Sequence, residues 1–178
     1  MRRREFITLM GGAAVGWPLA VRAQQPAIPL IAIINAGSEA STAKGYEAFR
    51  NDLRQRGYVE GRNIRYEYRF ADGFLDQLPR LAEELVKLNP TIIVSAPMPT
   101  NVAVHKATKT IPIVMSTGAD PVKFGLVQSL SHPGGNVTGL TNFVEALASK
   151  QLDVMRELRP GLARVATLIH VENPLRPN

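Results

Sequence analysis

The sequence contains no cysteine among its 178 residues. Disulfide bonds and thiolate metal sites are therefore excluded, and so is a lipid anchor on an N-terminal cysteine. No run of five charges of one sign occurs, so the chain has no polybasic or acidic tail and nothing indicates a nucleic-acid partner. With 45% apolar and 20% charged residues, the composition is that of an ordinary globular chain that can bury a core.

Signatures of catalysis and of cofactor binding are also missing. No G-x-S-x-G elbow, Walker loop or dinucleotide G-x-G-x-x-G follows a predicted strand. His105, His132 and His170 lie in unrelated elements without metal-ligand spacing. The glycine-rich segment "PGGNVTG" precedes a predicted strand, which indicates a turn rather than a phosphate-binding loop. We therefore expect neither a metal nor a cofactor.

The N-terminus has the layout of a cleavable export signal. Three arginines precede an apolar run from Phe6 to about Ala20, and small residues then surround Arg22 up to Ala23. The run is too short for a membrane span, which needs about 20 apolar residues. Its glycines and Pro18 also disfavour a core helix. We predict cleavage after about Ala23 and localisation in the periplasm.

The signal resembles the twin-arginine type, because Arg3 and Arg4 are followed by Glu5, Phe6 and an aliphatic residue. An ordinary Sec signal is the alternative export route. Removing residues 1–23 takes away four arginines and one glutamate, so the formal net charge falls from +6 to +3. The sequence pI of about 10.0 is thus partly a property of the signal.

Downstream of Pro26, predicted strands alternate with predicted helices. Predicted strands lie within 28–37, 63–70, 91–97, 111–117, 132–141 and 164–170. Predicted helices cover 41–56, 75–88, 101–108, 122–130 and 146–158. Three of the strands are continuous apolar runs typical of strands buried on both faces, whereas 63–70 alternates as an edge strand does. This order predicts an α/β fold, a parallel sheet with helices on both faces.

Small and polar residues follow the buried strands, at the place where parallel sheets bind ligands. These residues form three clusters, Asn35-Ala36-Gly37-Ser38, Ser95-Ala96-Pro97 and Ser116-Thr117-Gly118-Ala119-Asp120. They offer backbone N–H groups and hydroxyls but only one carboxylate. Such a surface suits binding a small polar molecule better than breaking one.

Four segments in order carry a resemblance to a known family: "GYVEGRNIRYEYRFADG", "IPIVMSTGADPVKFGLVQSL", "HPGGNVTGLT" and "LDVMRELRPGLARVATL". They resemble the periplasmic substrate-binding component of ABC uptake transporters, in the tryptophan- or aromatic-amino-acid-binding-like group. The resemblance implies a type I periplasmic-binding fold, in which two α/β lobes close over a small-molecule ligand. It also implies an ABC permease in the inner membrane as partner.

The resemblance implies ligand contacts from the strand-end clusters and from the crossover toward the second lobe. The candidates are Asn35, Ser38, Ala96, Pro97, Thr117, Gly118, Asp120 and Thr141. Asp120 has an equal alternative as the cap of the next helix, before Pro121. Thr141 and its neighbour Asn142 could serve as hinge or as ligand contacts.

The resemblance divides the chain into an export signal over 1–23, an N-terminal α/β lobe over 24–142, and a crossover with the beginning of a second lobe over 143–178. Members of the family carry two full domains. We therefore expect this sequence to be a fragment, and a single lobe to bind its ligand weakly or not at all.

Two other functions stay open from the residues alone. A secreted α/β enzyme, such as a hydrolase, would need a nucleophile with a positioned base, and the strand ends supply hydroxyls without a nearby histidine. The effector domain of a sugar-responsive transcription regulator shares the fold class but would need DNA-binding helices where this sequence has an export signal. The leading prediction is a solute receptor and not an enzyme.

Overall fold

A computed structural model describes residues 28–142 and 145–166 of the chain. The predicted export signal and its cleavage position lie outside the described residues. Of the strand predicted over 164–170, residues 164–166 are irregular, and the remainder also lies outside the described residues.

One parallel sheet with the strand order β2-β1-β3-β4-β5 forms the centre of the fold. Its strands are β1 (Leu30–Asn35), β2 (Arg65–Phe70), β3 (Ile92–Ala96), β4 (Ile113–Met115) and β5 (Val137–Gly139). Because β2 lies on one side of β1 and the later strands lie on the other, the strand order reverses between β1 and β3. The carboxyl ends of all five strands lie at one edge, and ligands of such sheets bind beside the point of reversal.

The helices are α1 (Glu39–Gln55), α2 (Leu78–Lys87), α3 (Met98–Ala107) and α4 (Glu145–Leu158), and a 3₁₀ turn (Leu75–Gln77) precedes α2. α2 and α3 pack against each other and against the face of the sheet that carries Ala32 and Ile34. α1 lies on the opposite face, where Tyr46 contacts Tyr68 with ring centroids 6.0 Å apart. The predicted α/β fold with helices on both faces is confirmed.

The core lies between the sheet and the pair α2–α3. The leucine stripe of α2 faces it, with Leu78, Leu81 and Leu85 buried. Leu88, the last residue of the helix predicted over 75–88, is 45% exposed. The reason is that α2 ends at Lys87 and Asn89 adopts a positive φ of 49°. The apolar spacing in the sequence thus continues one residue past the end of α2, and Leu88 is not buried.

The strand predicted to lie near an edge, β2, is one of the two edge strands of the sheet. Its two sides differ as the alternation predicts. Tyr66 and Tyr68 face α1, and Arg69 on the other side donates hydrogen bonds to Glu67 at 2.6 Å and to Glu84 of α2 at 3.2 Å. The hydrogen bond from Arg69 lowers the pKa of the Glu84 carboxyl.

The helix predicted over 122–130 is wrong, because this segment is a series of turns. A single turn closes where Leu126 N donates to Pro121 O at 2.9 Å, and Gly125 then adopts a φ of +65°. That conformation ends a right-handed helix. The helix predicted over 101–108 begins earlier, at Met98, because Pro97 takes the N-cap position.

Gly45, in the middle of α1, offers a test of this helix assignment. Apart from its chain neighbours and the nearby backbone of α1, no described atom lies within 4 Å of the position that a Cβ would occupy, so alanine fits without strain. We expect Gly45→Ala to raise the free energy of unfolding by about 1 kcal/mol in urea denaturation, because alanine loses less backbone entropy in a helix. The matched control is Gly57→Ala, which also has open space but a φ of +88°, and should destabilise the chain by about 1 kcal/mol. Equal effects of the two substitutions would contradict the assignment.

Candidate functional site at the carboxyl edge of the sheet

Backbone hydrogen bonds join the loops that follow four neighbouring strands. Ala36 N donates to Ala96 O at 3.2 Å, across the point where the strand order reverses. Ser116 N donates to Ser95 O at 3.0 Å. Leu140 N donates to Met115 O at 2.9 Å. The carboxyl edge, defined here as residues 35–38, 96–97, 116–120 and 140–142, is therefore one continuous surface that contains all the predicted site residues.

Asn35, at the end of β1, bonds to neighbouring groups through both the oxygen and the nitrogen of its side-chain amide. Its Oδ1 accepts a hydrogen bond from Gly37 N at 2.8 Å, and its Nδ2 donates to the Tyr46 hydroxyl at 3.0 Å. Burial raises the pKa of Tyr46, so the phenol is neutral at neutral pH and its proton can be donated. Tyr46 thus presents a hydrogen-bond donor beside the edge.

Ser38 is the N-cap residue of α1. Its hydroxyl accepts a hydrogen bond from Ser41 N at 3.2 Å, and Ser41 Oγ accepts in return from Ser38 N at 3.1 Å. Such a reciprocal cap satisfies two of the unpaired N–H groups at a helix start. Ser38 thereby fixes where α1 begins at the edge.

Ala96 and Pro97 supply shape rather than side-chain hydrogen bonds. Ala96 is buried, whereas Pro97 is exposed. Pro97 O accepts hydrogen bonds from Thr100 N at 3.0 Å and Asn101 N at 3.1 Å, which closes the first turn of α3.

The loop after β4 is tied to the crossover that follows β5. Asn142 N donates to Gly118 O at 2.7 Å, and Asn142 Nδ2 donates to Thr117 Oγ1 at 3.0 Å. The Thr141 hydroxyl donates to Ala119 O at 2.6 Å. Since Thr117 Oγ1 is an acceptor in this contact, its proton points elsewhere and is available to a ligand.

Asp120 performs the capping role that was its alternative. Its Oδ1 accepts hydrogen bonds from Val122 N at 2.9 Å and from Lys123 N at 3.3 Å. The capped element is the turn at 121–125 rather than the predicted helix. One carboxylate oxygen of Asp120 is therefore used to shape the loop.

A groove of about 500 Å³ adjoins the edge between α1 and the strands β3 and β4. Its lining is uncharged and mostly apolar. The apolar wall, as it is called here, includes Tyr46, Phe49, Val94, Val114 and Leu140, and the polar lining residues are Asn35, Ser41, Thr42, Ser116 and Thr117. The groove thus combines neutral hydrogen-bonding groups with an apolar surface.

The histidines in the described part of the chain lie away from this edge. His105 is near the end of α3, where its ring lies 3.1 Å from Lys109 Nζ, and burial and that cation lower its pKa. His132 precedes β5, and His170 lies outside the described residues. Over 28–142 and 145–166, no group of three or more acidic or histidine side chains could hold a metal ion. In the same ranges, no helix has both the length and the apolar character of a membrane span.

A doubly wound lobe whose carboxyl edge offers hydroxyl, amide and backbone groups beside a single carboxylate, that of Asp120, defines a class of ligand-binding domain. The chain belongs to the ABC transporter substrate binding protein family, whose model matches residues 30–174. The family resemblance carried by the four sequence segments is thereby confirmed. Members of this family generally act outside the cytoplasm.

Several relatives are similar to this chain. A tyrosine-binding protein from Clostridioides difficile (strain R20291) is 31% identical over 128 residues, which cover 72% of this chain and 36% of the relative. A conserved domain protein from Vibrio cholerae is 32% identical with a TM-score of 0.65, covering 75% of this chain and 45% of that one. An ABC domain in complex with L-Trp from Streptococcus pneumonia is 26% identical with a TM-score of 0.58, covering 64% and 38% respectively. The chain spans less than half the length of each of these relatives.

Tyr46 and Asn101 are not among the site residues predicted from the sequence. Tyr46 lies in the helix predicted over 41–56, and nothing local indicates that its hydroxyl reaches Asn35. Asn101 is buried on α3 and donates to Thr117 O at 2.9 Å. The available signal is the polar pair Thr100-Asn101 within an otherwise apolar segment.

Proposed function

We propose that this chain is the ligand-binding lobe of a periplasmic solute receptor that serves an ABC importer, and that it is not an enzyme. The observation that carries the proposal is the carboxyl edge itself, where four strand ends present hydroxyl, amide and backbone groups without an acid–base pair. Asn35, Ser38, Ala96, Pro97, Thr117, Gly118, Asp120 and Thr141 form the proposed ligand surface. The inner-membrane permease and the Tat or Sec export machinery are the proposed partners.

We also propose a division of the chain into three parts, based on the same receptor function. Residues 1–23 would direct export, 24–142 would form the first lobe, and 143–178 would lead into a second lobe. The bonds from Thr141 and Asn142 to the loop after β4 support the assignment of these residues to the crossover. Closure of two lobes over the ligand would be the signal that a permease senses.

The proposed ligand is a small amphiphilic solute, and an amino acid with an apolar side chain fits best. Its polar groups would bond to the carboxyl edge, while its side chain would lie against the apolar wall beside Tyr46 and Leu140. Two of the similar proteins are described as binding tyrosine or as bound to L-Trp. The uncharged lining of the groove also disfavours ligands with a charged side chain, because their desolvation would not be compensated.

A lobe that acts alone supplies only half of the contacts, so we expect weak binding by this chain. For L-tyrosine and L-tryptophan we expect a Kd of about 1 mM or weaker, which corresponds to about 4 kcal/mol. Saturation-transfer NMR with the purified chain measures binding in this range, and glycine serves as a matched ligand without a side chain. Recovery of the unchanged amino acid separates a receptor from an enzyme.

Each other outcome has a definite meaning for this proposal. Chemical conversion of the amino acid would contradict the receptor function. If calorimetry shows stoichiometric binding in the micromolar range, the view that this lobe supplies only half of the ligand contacts would be contradicted. Equal signals from glycine and L-tryptophan would contradict the role of the apolar wall.

A further inference from the structure

A buried chain of polar groups lies beneath the loop that follows β4. Ser95 Oγ donates to Asn101 Oδ1 at 2.7 Å, and Asn101 Nδ2 donates to Thr117 O at 2.9 Å. Ser95 and Asn101 are 0% and 1% exposed. The network thus links the core face of β3, through α3, to the backbone of the proposed ligand surface.

Gly118 allows this loop to lie directly on the Asn101 amide. A Cβ at position 118 would lie 2.9 Å from Asn101 Nδ2 and 3.0 Å from Met98 Cε. Both distances are shorter than an ordinary van der Waals contact. Ser95, Asn101 and Gly118 therefore act together to fix the distance between the loop after β4 and α3.

The same loop is held from the outside by the crossover. Asn142 bonds to Thr117 Oγ1 and Gly118 O, at 3.0 and 2.7 Å. The backbone at 117–118 is consequently fixed between Asn101 on the inner side and Asn142 on the outer side. A change in either anchor changes the position of the Thr117 hydroxyl.

The inner anchor contributes to stability, because without the Asn101 side chain the backbone carbonyl of Thr117 would lose its donor. A polar network also specifies one position for the groups that it holds. Thr100, the neighbour of Asn101, is also 0% exposed, yet its Oγ1 has no hydrogen-bond partner among the residues that the structure describes. Asn101 thus bonds to the loop after β4, whereas the hydroxyl of its buried neighbour Thr100 does not.

We propose that Asn101 is a positioning residue for ligand binding, acting through Thr117 O. This inference rests on the proposed function, since it concerns the same edge. Asn101 holds the loop after β4 so that the Thr117 hydroxyl stays in line with the ends of β1 and β3. Ser95 sets the orientation of the Asn101 amide, because its hydroxyl proton selects Oδ1 as the acceptor.

The test compares Asn101→Asp with the matched control Thr100→Val. The aspartate keeps an acceptor for Ser95 but, when ionised, has no proton to donate to Thr117 O. We expect amide hydrogen exchange at Ser116 and Asn142, which donate to Ser95 O and Gly118 O, to become at least tenfold faster than in the wild-type chain at pH 7, while the amides of β1 change little. We expect the affinity for L-tryptophan to fall several-fold. Thr100→Val should leave both measurements unchanged, because it removes a hydroxyl that has no partner in the described part of the chain.

A pH series separates positioning from general loss of structure. Acidification protonates the new carboxyl, whose O–H can again donate to Thr117 O, so loop exchange should return toward the wild-type value measured at the same pH. Ser95→Ala is a milder second variant should Asn101→Asp fail to fold, and it should accelerate exchange in the same loop.

Two results would overturn the proposal. One is a lower free energy of unfolding with unchanged loop exchange and unchanged affinity. The other is an equal effect of Thr100→Val on the loop. If the wild-type chain shows no measurable binding of L-tryptophan, hydrogen exchange alone decides whether Asn101 positions the loop, whereas chemical conversion of the amino acid would contradict the proposed function itself.

Discussion

Substituting Gly139 by alanine is expected to break the pairing of β5 with β4. Gly139 has a φ of +138°, and a Cβ there would collide with Met115 O and lie 2.6 Å from Met115 N. These are backbone atoms of the neighbouring strand, so no rotamer change relieves the contact. β5 contains only three residues, which leaves little other pairing to hold it.

We expect Gly139→Ala to lower the free energy of unfolding by about 3 kcal/mol, the upper range for a forced backbone conformation. Urea denaturation followed by circular dichroism measures this change. Gly135→Ala is the matched control in the turn before β5, since no described atom beyond its chain neighbours lies within 4 Å of its Cβ position. Its effect should stay below about 0.5 kcal/mol. Similar effects of the two substitutions would contradict the close approach of β5 to β4.

Substituting Leu85 by alanine should have an effect of similar size in the core. Leu85 is 0% exposed on the face of α2 that meets the sheet, so its removal leaves a cavity. Such substitutions cost about 2–5 kcal/mol, since transfer free energy and packing contacts are both lost. We expect a loss of about 3 kcal/mol in the same denaturation measurement.

Leu88→Ala is the control for the core substitution. Leu88 belongs to the same leucine spacing but is 45% exposed, so its replacement should cost less than about 0.5 kcal/mol. A cost at Leu88 equal to that at Leu85 would show that the stripe is buried along its full length, contrary to the structure.

The fold class was predictable because its signals are local and repeated. Runs such as 91–97 and the alternation at 63–70 reflect how many faces of a strand are buried. Leu78, Leu81 and Leu85 recur at helical spacing, and Gly57 follows α1 with the positive φ of a helix cap. The helix predicted over 122–130 failed because Gly125 adopts a positive φ that composition does not reveal.

The location of the candidate site was also predictable, whereas the use of each side chain was not. Parallel strands bring their carboxyl ends to one edge, so Asn35, Ala96 and Thr117 had to lie near one another. Whether a polar group is spare or already bonded depends on partners far along the chain. The Asn35 amide donates a hydrogen bond to the Tyr46 hydroxyl, and the Asn101 amide donates one to Thr117 O. Sequence spacing does not encode such pairs.

The family membership and the partial span of the chain bear on the proposed function together. The chain spans 36% of the tyrosine-binding relative and 45% of the Vibrio cholerae structure. The edge described here would be one of two surfaces that close over a ligand. We therefore expect weak binding of the ligand at the carboxyl edge. The position at which the ligand binds is a more decisive measurement than its affinity.

The most direct measurement is a titration of the ¹⁵N-labelled chain with L-tryptophan, followed by amide chemical shifts. We predict that the shifts concentrate at the carboxyl edge, in residues 35–38, 116–120 and 140–142, and that amides at the opposite edge, such as those of Ile64 and Asn136, do not move. Shifts that concentrate at the opposite edge or on the outer face of α2, with none at the carboxyl edge, would contradict the assignment of this surface to ligand binding.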